Sequence, residues 1–331
     1  MSRTMLALIP LAVLAACGGD GEPPGTSADL AWSTQCAASP ETDASTTYLG
    51  VTPDGRVGTW HVDTRALVAN YAVGDARGTT ALRREAATCS YLGADTGALR
   101  TAFLANGLAV SAADVGGEVQ PAILMTDPEP APAAIAGAYK LVRFMRLTQA
   151  TGSQVLAGSG VFTIDAQGAW SLCLDAAPGP ACTPETGIAA ARSDGSFDVV
   201  MSGQVHARMM VKVSGDSRLL LMAIDNPFDP ALTISGMWIG TPGDAPPAAG
   251  RWLADDSDAG SHALALSAAG LATDGGAPAP LTLDVPQAGY LGFASAAGPG
   301  IGLVSRLGVI ATATSTASGA TIAFGVASAA P

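Results

Sequence analysis

The sequence predicts an all-β protein made of antiparallel, hairpin-rich, sandwich- or barrel-like modules, in three similar units of about 80–110 residues. Three observations predict it. Apolar and polar residues alternate with period two in segments such as Val161–Asp165, Phe197–Met201, Met209–Val213 and Leu281–Val285, the pattern of a strand with one face toward a core. Between such segments lie Asp54-Gly55, Asn106-Gly107 and Gly215-Asp216, dipeptides that tolerate the positive φ of tight hairpin turns. Finally, the pattern recurs. A proline/alanine stretch runs into a Gly-x-aromatic at Tyr139 and again at Trp252, with Trp32 as a looser instance, at spacings of 107 and 113 residues.

The chain opens on a removable leader. Arg3 gives a positive start, and Met5–Ala16 supplies twelve apolar or small residues, too few to span a bilayer as a helix but right for the apolar region of a signal peptide. It ends in Leu14-Ala15-Ala16-Cys17, which resembles the lipobox of bacterial lipoproteins. That resemblance implies cleavage before Cys17 by signal peptidase II and acylation of Cys17. It makes residues 1–16 a signal peptide and 17–30 a lipidated tether, with the bilayer as a partner. Several acyl chains together give stable anchoring. Gly18, where an aspartate would favour inner-membrane retention, points to the outer membrane, with its periplasmic or surface face left open.

Three β modules follow, at 31–130, 137–243 and 250–331. A first hairpin recurs as Gly158–Gly168 and Gly260–Gly270, with Thr47–Gly55 as the third candidate. A second appears as Tyr91–Gly93 leading to Leu104–Val110, as Val211–Leu221, and as Tyr290–Gly292 leading to Val304–Ile310. The uncharged stretch Leu307–Ala330 is rich in Ala, Thr, Ser and Gly and broken at Ser315–Gly319, so it reads as two strands and a turn rather than a membrane helix.

Besides Cys17 the cysteines are Cys36, Cys89, Cys173 and Cys182. In an exported chain four thiols suggest two disulfides. Three pairings are open; the short separation of Cys173 and Cys182 over a Pro-Gly-Pro turn favours a local bridge, leaving Cys36 with Cys89. A zinc site is the rival, but no Cys-x-x-Cys or neighbouring histidine supports it, and no metal or cofactor is expected.

Composition excludes whole classes. With 28 acidic and 16 basic residues the formal charge is −12, so nucleic-acid phosphates would repel the chain. Apolar residues at 48% and charged ones at 13% do not describe a disordered chain.

Catalytic motifs are scarce. His61, His206 and His262 form no metal or triad signature, and no nucleophile elbow or phosphate loop occurs. Gly93–Ala98 contains Asp95-Thr96-Gly97-Ala98, which resembles the motif of retroviral-type aspartic proteases, where two aspartates share a proton. Gly93 and Ala94 stand where that family has bulky apolar residues, and a second such motif is absent. Asp225–Asp229 and Asp255–Asp258 cluster oxygens that calcium could use, though without EF-hand spacing. Trp60, Trp170, Trp252, Tyr48, Tyr91 and Tyr290 read either as sugar-stacking platforms or as recurring core positions.

The expectation is an envelope-anchored lipoprotein with a non-catalytic binding or scaffolding ectodomain, its partner an envelope protein or a glycan. One alternative is an envelope hydrolase with paired carboxylates, such as Asp255 with Asp256 or Asp95 with a partner. Another is a small-ligand barrel in the middle module, with an enclosed cavity lined by residues such as Phe162, Ile164, Met210 and Leu220.

Overall fold

The computed structural model describes residues 45–86, 89–93, 100–103, 107–175, 182–229, 232–242, 249–258, 260–283 and 289–327. The described residues are almost entirely strand, arranged as three consecutive eight-strand meanders. The first is a closed barrel of β1 (Ser45–Val51), β2 (Val57–Asp63), β3 (Val68–Val73), β4 (Ala76–Glu85), β5 (Ser90–Gly93), β6 (Arg100–Phe103), β7 (Leu108–Val115) and β8 (Glu118–Met125). A short helix, α1 (Pro132–Ile135), leads into a second closed barrel. Its strands are β9 (Gly137–Gln149), β10 (Gly152–Ile164), β11 (Ala169–Leu174), β12 (Glu185–Ala191), β13 (Phe197–Met201), β14 (Gln204–Ser214), β15 (Ser217–Asp229) and β16 (Leu232–Thr241). The third unit comprises β17 (Gly250–Asp256), β18 (Ser261–Ser267), β19 (Gly270–Thr273), β20 (Leu281–Leu283), β21 (Leu291–Ser295), β22 (Gly298–Val304), β23 (Val309–Thr316) and β24 (Gly319–Ala327).

All three units share one topology. The first strand of each pairs with its last, β1 with β8, β9 with β16 and β17 with β24. Among the described residues only the third is open: β19 and β20 are its edges, and a single bridge links Leu271 of β19 to Ala279, two residues ahead of β20. Uninterrupted pairing elsewhere removes the free edges through which sheets aggregate.

Two kinds of core hold this body together. Within the first barrel, Tyr48, Trp60, Val73, Tyr91 and Leu124 fill the interior. In the second, Tyr139, Leu141, Phe162, Phe197, Met209 and Leu220 do so. A third cluster lies between the units. It joins Val51, Leu108, Ile123 and Met125 to Val142, Met210, Leu221 and Ile239, and to Leu253, Val309, Ile322 and Phe324. The units therefore pack as one body around a shared core. This double burial explains the continuous apolar run of β15. Leu220, Met222 and Ile224 point into the barrel, while Leu219, Leu221 and Ala223 face the shared core. A strand buried on both sides loses its polar alternation. In β8, Ala122 and Leu124 likewise face inward, with Ile123 and Met125 outward.

Polar ties fix the units further. The turn between β1 and β2 sets Gly55 against β15 and β16, where a Cβ would lie 2.0 Å from the Ile224 carbonyl oxygen. Only glycine, here at φ +85°, fits that approach. Lys212 of the second barrel donates to the Thr126 carbonyl (2.8 Å) and hydroxyl (3.1 Å) beyond β8. Burial lowers the pKa of this amine, with Asp127 opposing. The third unit inserts Tyr290 against the second barrel. Its hydroxyl donates to the Gly160 carbonyl (2.6 Å) and accepts from the Leu141 amide (3.0 Å), and burial pushes its pKa to about 12.

The recurrence seen in sequence is partly in step. The second hairpin falls each time on the turn into the seventh strand of a unit: β7, β15 and β23. The first does not. Gly158–Gly168 and Gly260–Gly270 cover second strands, β10 and β18, whereas Thr47–Gly55 covers β1, one strand out of step.

Candidate functional site

The second barrel is closed at one end and hollow at the other. At the closed end α1 acts as a plug. Its Ile135 is fully buried in the barrel core, and Tyr139 donates from its hydroxyl to the Ile135 carbonyl at 2.6 Å. Arg218 donates to the Ala136 carbonyl and Glu129 N–H to the Val211 carbonyl. Burial, partly offset by Arg218, raises the Tyr139 pKa to about 12, so its hydroxyl keeps its proton.

At the other end, where β9, β11 and β13 finish and β12, β14 and β16 begin, the interior is not filled. A cavity of about 140 Å³ is lined by Met145, Phe162, Trp170, Leu172, Val199, Met222, Ile224, Ile234 and Trp238, with Leu174, Glu185, Met201 and His206 around its rim. Phe162 and Trp170 stack with centroids 5.8 Å apart. The wall is thus aromatic and thioether-rich, with its ionisable side chains, Glu185 and His206, near the strand ends. His206 Nε2 lies 3.2 Å from the Met201 carbonyl, where a protonated nitrogen donates. Behind Trp238 sits a buried cation. Arg143, 3% exposed, lies 5.8 Å over the Trp238 ring. It donates to the Ser159 carbonyl (2.5 Å) and to Asp175 (2.6 Å). Gly158 and Gly160 leave room for its guanidinium. Its charge is neutralised in place, as a buried charge requires.

This cavity differs from the expected one. Phe162 lines it, but Ile164 and Leu220 pack in the filled part of the barrel. Met210 faces the opposite way, into the shared core. Met210 is expected inside the barrel, but strand alternation turns it away from Met209 and Val211, which fill that interior, and nothing in the sequence marks the interface between units as a second apolar environment. Among the other wall residues the sequence singles out Trp170, as a sugar platform or a core position, but not Trp238, Met145 or Met222.

A second concavity, a cleft of about 730 Å³, lies between the first two barrels and is lined by Arg56, Asp75, Asp198, Arg208 and Asp225 among others. Asp198 holds Arg192 through both oxygens (3.0 and 2.9 Å), and Arg208 pairs with Asp194 and donates to the Ser196 hydroxyl. Burial, helped by Arg192, lowers the Arg208 pKa.

The other candidate residues separate. Asp255 and Asp256 are consecutive on β17, so their side chains leave on opposite faces; Asp255 is buried and Asp256 contacts His262. Asp95 lies outside the described residues with the rest of Ala94–Ala98, while Gly93 before it ends β5. Asp225 sits on β15 at the cleft. Among the described residues no cluster of three or more metal-binding side chains occurs. Tyr48, Trp60, Tyr91, Trp170, Trp252 and Tyr290 are all buried, so none is an exposed sugar platform, and Trp170 is part of the barrel cavity's wall. His61 lies between the hydroxyls of Ser45 (3.0 Å) and Thr47 (3.1 Å) on an exposed sheet face. His262 is held by two carboxylates, Asp256 at 2.6 Å and Asp274 at 2.8 Å.

Cys173 and Cys182 form a disulfide, closing the connection from β11 to β12 beside the cavity. Cys17 and Cys36 lie outside the described residues, and with them the lipidation site and the Cys36–Cys89 pairing. No described helix is long and apolar enough to cross a membrane.

No family model matches the chain, and no curated protein matches it. It is similar in outline to the crystal structure of a protein of unknown function from the DUF3598 family of Nostoc punctiforme. The identity is 8%, the alignment covers 86% of this chain and 94% of that one, and the TM-score is 0.18, too slight a likeness to carry fold or function.

Proposed function

We propose that this chain is an envelope-anchored lipoprotein whose β ectodomain binds rather than catalyses, and that its second barrel takes a small apolar ligand. The observation that carries the reading is the asymmetry of that barrel, plugged by α1 at one end and holding an open apolar cavity at the other. Such a concave site, apolar with few polar groups, is where small molecules bind. Burying apolar ligand surface there is favourable at roughly 25 cal/mol per Å². Lipidation rests on the lipobox-like Leu14–Cys17, and Gly18 favours the outer membrane. The bilayer is then a partner through the acylated terminus, and an envelope protein or glycan remains a further candidate for the exposed faces.

The hydrolase alternative has less support. Asp255 and Asp256 face apart, and Asp198 in the cleft is bound to Arg192. A general acid–base pair needs two groups that converge on one substrate.

The test uses the mature chain and a panel of small apolar molecules, read by tryptophan fluorescence, since Trp170 and Trp238 line the cavity. Saturable binding that disappears in Ala207→Leu, which fills the cavity from β14 because Ala207 is part of its wall, supports the reading. A panel without any saturable binding overturns it.

A further inference from the structure

We infer that the ligand part seated in the second barrel is a single compact ring, aromatic in character, and not an extended acyl chain. This rests on the ligand-binding reading above and specifies its chemistry.

Size is the first argument. At about 140 Å³ the cavity matches the ~150 Å³ apolar cavity that accepts one benzene. Shape is the second. A long chain needs a tunnel, and the barrel offers none. Below the cavity Phe197, Met209 and Leu220 are buried at 0% exposure, and beneath them Ile135 of α1 closes the end. The plug is tied by the Tyr139 hydroxyl and by Arg218, so the floor does not yield to a lengthening ligand without breaking both bonds. The third argument is the wall. Three thioethers, of Met145, Met201 and Met222, face a site whose rings are Phe162, Trp170 and Trp238. Sulfur contacts to ring edges and offset ring stacking add to simple burial for an aromatic guest. Methionine's flexible chain also lets the wall close around a flat molecule. Polar substituents would sit toward the rim, where His206 and Glu185 lie.

The experiment is a binding series on the mature chain: the 1-alkanols from butanol to dodecanol, with toluene and methylcyclohexane as a ring pair of equal carbon number. In a tunnel each added methylene tightens binding by about fourfold, from ~0.8 kcal/mol per buried methylene. For a ring-sized cavity the gain stops after about six carbons, and toluene binds several-fold tighter than methylcyclohexane once each is corrected for its own transfer from water. Affinity that keeps climbing through dodecanol overturns the ring assignment, and a methylcyclohexane preference overturns its aromatic character, either one leaving apolar binding intact. Failure of every member to bind removes the underlying reading instead. Ala207→Leu on β14 and Ile234→Phe on β16, two strands away, serve as two independent fillings. Each is expected to abolish toluene binding with an unchanged or higher Tm, so lost binding is not mistaken for lost folding.

Discussion

The second barrel and the third unit run through the same eight-strand meander, yet only one of them closes. The difference lies in a single connection, from the third strand to the fourth. In the first barrel it is the tight turn at Gly74-Asp75, and β3 and β4 pair from Val68 to Val73. In the second it is a longer loop, stapled by the Cys173–Cys182 disulfide, and β11 and β12 pair over Ala169–Leu172. The third unit has no cysteine there. Its connection reads Asp274-Gly-Gly-Ala-Pro-Ala-Pro280, and the ladder shrinks to the Leu271–Ala279 bridge, flanked by Pro278 and Pro280. Ala279 gives both its N–H and its C=O to Leu271, so Pro278 and Pro280, on alternate positions, lack donors on the opposite side, toward β21, where the ladder starts only at Leu281. The covalent staple holds the second barrel shut beside its cavity, whereas the third unit's seam rests on one reciprocal pair of backbone hydrogen bonds between Leu271 and Ala279.

If the open unit survives because it leans on the shared core rather than on its own closure, the largest effect should come from cutting that core. Phe324→Ala removes a fully buried ring of β24 that faces the other units. It should cost about 3–5 kcal/mol. Leu264→Ala, in the third unit's own smaller cluster, should cost less, about 2–3 kcal/mol. Chemical denaturation of both variants decides the point, and equal losses would mean that the third unit stands by itself.

Removing the staple should push the second barrel toward the third. Cys173→Ser with Cys182→Ser is expected to cost about 2–3 kcal/mol by loop entropy. Amide exchange in β12 should quicken before that in β15, because β15 is buried on both faces. Toluene binding should weaken with it, since Leu172, Leu174 and Glu185 belong to the strands so released. A smaller loss, about 1–2 kcal/mol, is expected for Tyr290→Phe, which keeps the ring and deletes the hydroxyl bonded to Gly160 and Leu141. It should appear as loosened docking of the third unit, measured by cross-unit proteolysis, with the barrels' own exchange unchanged.

The three-unit plan was legible because its signals are local. Alternation, Asp-Gly and Asn-Gly turns and the linkers before Tyr139 and Trp252 are each set by a few neighbouring residues. Closure was not legible, because it depends on whether β16 reaches β9, a pairing of distant segments with no local signature. The same holds for the shared core. The run Leu219–Ile224 announces burial on two sides without saying that the second side is another module. The cavity was the least visible feature. Being hollow is a property of how much volume Met145, Phe162, Trp170 and Trp238 leave between them, and alternation records only which way each points. The disulfide, by contrast, could be read from the nine-residue separation of its cysteines.

The smallest predicted effect concerns what holds the open unit's edge in the absence of a staple. His262 on β18 reaches Asp256 at the end of β17 through Nε2 and Asp274 beyond β19 through Nδ1. Both carboxylates are oriented by backbone donors, Asp256 by the amides of Asp258 and Gly260 and Asp274 by that of Ala263. A carboxylate accepts, so the ring bonds both partners only when both its nitrogens carry protons, and as an imidazolium it ties β17, β18 and the turn after β19 together. Burial disfavours that charge, but the hydrogen bonds and charges of Asp274 and Asp256 outweigh it and raise the pKa above 6.5. A raised folded pKa means the contribution is complete below the unfolded value, near pH 6.5, and is lost as pH climbs through the folded one. Amides of β19 should therefore exchange faster, beyond the intrinsic base dependence, as pH rises across that window, while those of β11 in the stapled barrel should not. His262→Gln should remove the difference at a cost of about 1 kcal/mol or less below pH 6. If β19 in the wild type shows no such added pH dependence, the edge is held by the Leu271–Ala279 bridge alone.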